Sequence, residues 1–327
     1  MDVQSLATVD RETLLSPPAV SAATRGYLAA AQASNTRRAY LADWLHFATW
    51  CADRAVDALP ATPETLADYV SDSAACGRST STIGRRLAAV RSAHLTAGHA
   101  VSPTSAALVR KALAGVRRTH GVAPRKKAAI TTDEVRAMLA TLDPVTPLGA
   151  RDRALLLLGY AAGMRRSELA ALDVDDLEFV TDAGLRIRLR RSKTDQEGRG
   201  RLVGVLRGRA AETCPVRAVQ AWLEVLGRPT AGPLFRHVRR GGHVAAERIS
   251  PKVVAMVVQR TGLAAGLDPT GLGGHSLRAG MVTTAARRRA PLTRIMAQSG
   301  HLRLDTLMGY VREAELFDDN ASGYLEL

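Results

Sequence analysis

Between Thr36 and Cys51 the apolar residues Tyr40, Trp44, Phe47 and Cys51 recur at three- and four-residue intervals, the spacing of one helical face. Pro63-Glu64 opens a second run of this kind, which ends near Ala74 and turns Leu66, Tyr69 and Val70 inward. In a third, from Ser79 to Leu95, Ile83, Leu87, Val90 and His94 form one stripe, with Arg85 opposite it and Arg86 and Arg91 on its flanks. A fourth runs from about Ser105 to Val116. Residues 21–118 are therefore expected to fold as a four- or five-helix domain with basic outer faces. Residues 1–20, interrupted by Pro17 and Pro18, are expected to be a flexible arm.

The periodicity lapses at 119–127 (THGVAPRKK), where Gly121 and Pro124 punctuate the chain, and residues 119–130 read as a linker. Thr131-Thr132-Asp133-Glu134 then has the form of a cap before a helix through Leu142. Residues 150–171 read as a strongly apolar helix broken at Gly163. From Gly184 to Arg191 the period becomes two. Leu185, Ile187 and Leu189 alternate with Arg186, Arg188 and Arg190, which predicts a strand with one buried face. A Gly-rich turn (Glu197-Gly198-Arg199-Gly200) leads to a return strand, Arg201 to Leu206, and helices are expected from there to the C-terminus. Residues 131–312 are thus expected to be mainly α with a small antiparallel sheet, followed by a tail at 313–327. No internal repeat or low-complexity tract interrupts them.

Composition narrows the partner. The 327 residues suit two domains of ordinary size, and 46% hydrophobic content supplies real cores. Lys and Arg number 45 against 31 Asp and Glu, and the net charge of +14 favours a polyanion: DNA, RNA or an acidic membrane. Aromatic residues, at 4%, are too few for reading single strands mainly by base stacking. Between Asp72 and Asp133 there is no acidic residue, yet that window holds Arg78, Arg85, Arg86, Arg91, Arg110, Lys111, Arg117, Arg118, Arg125, Lys126 and Lys127. Such uncompensated charge, with Arg37 and Arg38 near the first helix start, points to a phosphate-facing surface rather than a merely solvated one. Cys51, Cys76 and Cys214 are odd in number and lack CxxC spacing, which argues against a disulfide framework and a structural zinc site. The first residues, with Asp2, Asp10 and Glu12, contain no apolar signal core, and the longest apolar stretch, Ala154 to Met164, is too short to span a bilayer. The expectation is a soluble, reduced, cytoplasmic and nucleoid-associated protein with no membrane partner.

Four clusters could carry chemistry, and each alone has an ordinary structural reading. In Gly163-Met164-Arg165-Arg166-Ser167-Glu168-Leu169, Glu168 can hold Arg165 on one helical face, or the two are a plain helix-terminal ion pair. Lys193, in Ser192-Lys193-Thr194, is one of only 5 lysines and the only one between Ala128 and Pro251. A chain this rich in arginine keeps lysine where a titratable ammonium is needed, or Lys193 is a solvated turn residue. His275 and Arg278, spaced to share a helix face, can reach one phosphate, or they are a cap and a surface arginine. Ser299-Gly300-His301 is followed nine residues later by Tyr310, whose phenol has an ordinary pKa of about 10 and needs nearby cations to act as a nucleophile. A lone tyrosine is more often core or interface.

Taken in order, Arg165, Lys193, His275 with Arg278, His301 and Tyr310 resemble the tyrosine recombinase (phage integrase) family across roughly residues 25–320. Trp50-Cys51, Arg294-Ile295-Met296 and Met308-Gly309-Tyr310-Val311-Arg312 look most like Cre and its relatives. Position 301 is His, as in most of the family, whereas Cre has Trp there. No extra N-terminal arm-binding domain is evident. The resemblance implies a C-shaped clamp on double-stranded DNA with inverted-repeat half-sites and a homotetramer in the synaptic complex. It also implies strand exchange through a 3′-phosphotyrosyl bond, with no metal, ATP or other cofactor. By the same resemblance Arg165 and Arg278 clamp the phosphate and His275 helps accept the Tyr310 proton. His301 donates to a non-bridging oxygen, Lys193 protonates the 5′-oxygen, and Glu168 orients Arg165. The tail, acidic at Glu313, Glu315, Asp318, Asp319 and Glu326 but apolar at Leu316, Phe317, Tyr324 and Leu325, is expected to dock on a neighbouring protomer.

Three alternatives stay open at this level. One is a relaxing topoisomerase or telomere-resolving enzyme with the same chemistry. Another is a catalytically silent DNA-binding protein on the same scaffold. The third, a metal-dependent hydrolase using His275 and His301, lacks an evident third ligand.

Overall fold

A computed structural model describes residues 20–31, 33–122, 127–190, 200–314 and 322. Nearly all of the expected arm and tail, Arg125 and Lys126 of the linker, and Lys193 with its turn lie outside the described residues. The chain divides into two units, Met1–Arg125 and Lys126–Leu327.

The first unit is helical: α1 (Ala22–Ala30), α2 (Ser34–Ala52), α3 (Pro63–Ala75), α4 (Thr80–Thr96) and α5 (Ala107–His120), with a 3-10 turn at Pro103–Ser105. The starts of α3 and α4 are local. Thr62 and Ser79 each accept a backbone N–H three residues on, at 3.1 and 3.3 Å, and Pro63 occupies a position that needs no donor. The stripe residues Trp44, Phe47, Leu66, Tyr69, Ile83 and Val90 form the core. His94 is fully buried within it. Its Nε2 accepts from the Ala61 amide (3.0 Å), its Nδ1 donates to the Val90 carbonyl (2.9 Å), and burial lowers its pKa, as suits a neutral ring.

The second unit opens with α6 (Thr132–Ala140), where Thr131 and Glu134 form the expected capping box. The apolar run becomes two helices, α7 (Pro147–Ala161) and α8 (Arg166–Ala171). Between them Gly163 has φ +59°, a left-handed turn that a glycine adopts without strain. Strands β1 (Leu177–Val180), β2 (Gly184–Leu189) and β3 (Arg201–Leu206) form an antiparallel sheet in that order. Leu185 faces Val205 and Ile187 faces Val203, so the alternating apolar residues share the buried side. Then come α9 (Pro215–Val225), β4 (Arg236–Val238), β5 (Val244–Arg248), α10 (Pro251–Ala264), α11 (Ser276–Arg287), α12 (Leu292–Ser299) and α13 (Leu304–Ala314).

The β4–β5 hairpin corrects the expectation of helices throughout this region. Its residues are Arg- and His-rich and none is fully buried, so no alternation marks them. β1 escaped for the same reason, being four residues long with no buried position. The core packs Leu155, Leu156, Leu158, Ile187, Trp222, Phe235 and Val258, and the Trp222 indole donates to the Leu234 carbonyl at 2.7 Å. A smaller separate cluster, Val282, Ala286, Ile295, Leu307 and Val311, joins α11, α12 and α13. Backbone hydrogen bonds from the Ala128 amide to the Gly271 carbonyl (2.9 Å) and from the Ile130 amide to the Ser276 carbonyl (3.3 Å) tie the segment before α6 to the root of α11.

Candidate active site

The turn after α7 delivers Arg165 as the residue capping α8. The Glu168 carboxylate, 3% exposed, accepts from the Arg165 amide (3.0 Å) and from its Nη1 (2.6 Å), which fixes the guanidinium on one side. His275 immediately precedes α11 rather than lying within it, and Arg278 stands in its first turn. Arg278 is no surface arginine. It is 1% exposed, and its Nη1 donates to the Gly163 carbonyl (2.9 Å) and to the Ser299 carbonyl. Burial and the nearby Arg165 guanidinium lower its pKa to about 10, against the opposing pull of Glu168 and Tyr310.

α12 ends at Ser299, Gly300 turns the chain with φ +68°, and His301 follows. The Ser299 hydroxyl donates to the Ile295 carbonyl (2.6 Å) and lies 2.7 Å from His301 Nδ1. A hydroxyl has one proton, and the carbonyl takes it, so Nδ1 carries the hydrogen and Nε2 of the neutral ring is an acceptor. Burial, then the charges of Arg278, Arg165, His275 and Arg201, lowers the His301 pKa from 6.5 to about 4. Tyr310, on α13, has its hydroxyl 2.7 Å from His275 Nε2, and its ring centroid is 6.1 Å from that of His301.

Arg165, His275, Arg278, His301 and Tyr310 are thus gathered in one place, with Glu168 behind Arg165, while Lys193 lies outside the described residues. Two residues of the site have no role assigned to them by the sequence alone. Ser299 sets the His301 tautomer. Arg201 has its Nη2 at 3.8 Å from the Glu168 Oε2, and its period-two register with Val203 and Val205 is the signal that could have revealed an inward arginine.

The basic window of the first unit needs a correction. Asp43, 42 residues away in sequence and buried, is gripped by Arg85 at 2.7 and 3.0 Å. Arg86 is buried as well, 4.0 Å from the same carboxylate, with its Nη1 3.4 Å from the Ser73 hydroxyl. These two cations are compensated, and Arg86 belongs to the interior. Arg38, Arg91, Arg110, Lys111, Arg117 and Arg118 are exposed and Arg37 is half-buried. At about 100° per residue, the four on α5 fall within roughly a third of its circumference. Lys127 is exposed and donates to the Thr270 carbonyl at 2.6 Å.

A phenol stands against an imidazole, with two guanidiniums and a second imidazole nearby, a set of groups with the chemistry to transfer a phosphoryl group. The profile of the Phage integrase family matches residues 128–316, and that of the Phage integrase, N-terminal SAM-like domain, matches residues 26–99. The chain belongs to the phage integrase family; it is a tyrosine recombinase, an enzyme of site-specific recombination. It is 35% identical over 292 residues to an integrase/recombinase xerD homolog of Selenomonas ruminantium, covering 89% of this chain and 85% of that one. It is 30% identical to tyrosine recombinase XerC of Mycobacterium sp. (strain KMS), covering 85% and 88%. Since these relatives are of the XerC and XerD kind, the likeness to Cre is a loose one. Among solved structures, the fold is similar to XerH site-specific recombinase bound to palindromic difH substrate (TM-score 0.56, 18% identity, 81% of this chain and 71% of that one). It is also similar to a lambda integrase dimer bound to a COC′ core site (TM-score 0.58, 16% identity, 86% and 72%). Among the described residues, no helix is long and apolar enough to cross a membrane, and no group of three or more His, Cys, Asp or Glu could hold a metal ion.

Proposed function

We propose that this recombinase cuts and rejoins double-stranded DNA with Tyr310 as the nucleophile. The Tyr310 oxygen attacks the scissile phosphorus, the bond from phosphorus to the 5′-oxygen breaks, and a 3′-phosphotyrosyl bond takes its place. The phenolic proton passes towards His275 Nε2, and Lys193 supplies a proton to the departing 5′-oxygen. Arg165, oriented by Glu168, and Arg278 neutralise the non-bridging oxygens, where charge grows in the transition state. His301 donates to one of those oxygens. Because its Nδ1 hydrogen is committed to Ser299, that bond requires a proton on Nε2. The phosphotyrosyl bond conserves the energy of the phosphodiester, so a partner strand's hydroxyl can reseal it without ATP. The observation that carries the reading is the 2.7 Å approach of the Tyr310 hydroxyl to His275 Nε2, beside a buried arginine that forms no ion pair with a described carboxylate.

The helical unit, through the exposed cations of α5, would neutralise phosphates and set register rather than read bases. Inverted-repeat half-sites, a homotetrameric synaptic complex and a place of action on nucleoid DNA complete the proposal. The test begins by selecting bound duplexes from a randomised pool. The selected site is then synthesised with a nick, or with a bridging 5′-phosphorothiolate, and incubated with the protein in EDTA. A covalent protein–DNA adduct is expected that is lost in Tyr310→Phe while binding persists. With the phosphorothiolate, whose leaving group needs no proton, Lys193→Ala should form adduct as well as the unaltered protein does. An adduct that survives Tyr310→Phe overturns the assignment.

A further inference from the structure

We propose that Arg201 is a positioning residue for strand exchange, one that locks the His301 turn to the Arg165–Glu168 pair and supplies the site's third guanidinium. The inference rests on the proposed function above. Arg201 begins β3 and turns inward, against the exposed character of Leu202, Gly204 and Leu206 on the other face. Its Nη1 donates to the carbonyls of Ala297 (3.3 Å) and Gln298 (3.0 Å). These sit in the last turn of α12, where carbonyls have no intrahelical partner and the helix dipole is negative. Arg278 holds the next carbonyl, that of Ser299. Two arginines therefore grip three successive carbonyls, and the residues that follow are Gly300 and His301.

The close fit explains the glycine. A Cβ on Gly300 would lie 2.9 Å from Arg201 Nε and 3.0 Å from its Cζ, at a φ of +68° that already disfavours other residues. Arg201 is also the second cation on Glu168. The carboxylate is 2.6 Å from Arg165 Nη1 and 3.8 Å from Arg201 Nη2. Among the described residues Glu168 is the one carboxylate paired with Arg165 and Arg201, and it also acts electrostatically on Arg278, which has no ion pair of its own, so three guanidiniums stand near one carboxylate. Burial lowers the Arg201 pKa, and its Nε and Nη2 are buried with no hydrogen-bond partner among the described residues. An arrangement with that much unbalanced positive charge is costly when empty and is relieved by an anion. The phosphate of the substrate is that anion. Arg201 does not need to touch it: it raises the field there and keeps His301 and Arg165 at a fixed separation.

The full-length protein with Arg201→Met and with Arg201→Lys tests this on the nicked selected duplex. Binding is read by anisotropy, and adduct formation is timed at saturating DNA. His301 titration is followed by NMR without DNA, in the presence and absence of orthovanadate as the phosphate probe. Arg201→Met should slow adduct formation by about 10²-fold, the scale of a misplaced catalytic group, with DNA affinity little changed. Its His301 should titrate higher than in the unaltered protein, because one neighbouring cation is gone. Arg201→Lys should recover much of the rate and keep His301 low. An unchanged rate in Arg201→Met overturns the proposal. So does a rate loss fully explained by weaker DNA binding, or a lysine variant no better than methionine with His301 unmoved in both. Should Arg201→Met fail to fold by circular dichroism, Arg201→Lys decides: a near-normal rate with low-titrating His301 supports the proposal, and loss of both refutes it. Absence of any adduct from the unaltered protein strikes the proposed function instead, since the His301 readout needs no DNA.

Discussion

Replacing Ser299 with alanine should change the proton count of DNA binding more than it changes the fold. The Ser299 hydroxyl is pinned by the Ile295 carbonyl at 2.6 Å, which forces the hydrogen of neutral His301 onto Nδ1, 2.7 Å away. The same ring is held at a pKa of about 4 instead of 6.5 by burial and by Arg278, Arg165, His275 and Arg201. That difference corresponds to about 3 kcal/mol against the imidazolium before DNA binds. A phosphate brings negative charge to Nε2 and reverses part of this cost. His301 then binds a proton as DNA binds, and affinity is expected to fall as pH rises from about 4 through the bound-state value. In Ser299→Ala the ring can place its hydrogen on Nε2 and donate while neutral, so the linked proton should disappear. Removing that hydrogen bond should itself cost about 1 kcal/mol. Calorimetry of the selected duplex in two buffers of different ionisation enthalpy counts the proton, and nitrogen chemical shifts of His301 report the tautomer. A wild-type protein that takes up no proton near pH 6, or a free protein with Nε2 protonated, would refute the reasoning.

The same histidine bears on stability. Its folded pKa lies below its unfolded one, so it has no effect above about pH 6.5, destabilises progressively as pH falls to about 4, and is constant below that; His301→Gln should flatten that part of a Tm-against-pH curve. Asp152, fully buried between Arg151 at 2.7 Å and Arg260, should be costly to remove, with Asp152→Ala losing about 3–5 kcal/mol in denaturant unfolding while an unrelated surface carboxylate loses little. Alanine at Arg110, Lys111, Arg117 or Arg118 should lower the salt dependence of DNA affinity by about 0.9 in slope for each phosphate that is no longer neutralised. Asp43→Asn, by contrast, should weaken the helical unit in thermal unfolding, because it leaves the buried Arg86 guanidinium without its nearby carboxylate and breaks the ion pair that holds Arg85. Deleting residues 314–327 should impair synapsis in a two-site gel assay with single-site binding intact, and equal loss of both would rule out a tail that docks on a neighbour.

Much of the local architecture was legible along the chain. The stripe of Trp44, Phe47, Leu66, Ile83 and Val90 lies in the core where its spacing put it, and the Thr131–Glu134 capping box closes as its residue types suggest. The alternation through Leu185, Ile187 and Leu189 became β2, with its buried side as read. What the sequence missed were particular pairings with partners far away along the chain. The acid-free window from Asp72 to Asp133 is not acid-free in space, since Asp43 of α2 enters it and pairs with Arg85. Arg278 shares a local motif with His275 but is buried by carbonyls from Gly163 and Ser299. β4 and β5 carry no periodic burial to betray them.

Amino-acid order by itself therefore determined the helical and strand periods, the excess of positive charge and the set of residues proposed to move a phosphate. Backbone geometry imprints those periods on any chain that buries one face, so a reader can recover them without coordinates. Tertiary packing alone decided which arginines remain free to meet a polyanion, which nitrogen of His301 holds its hydrogen, and that Arg201 stands behind both. Those outcomes depend on desolvation and on distances between segments that lie far apart in sequence, and no local pattern encodes either quantity.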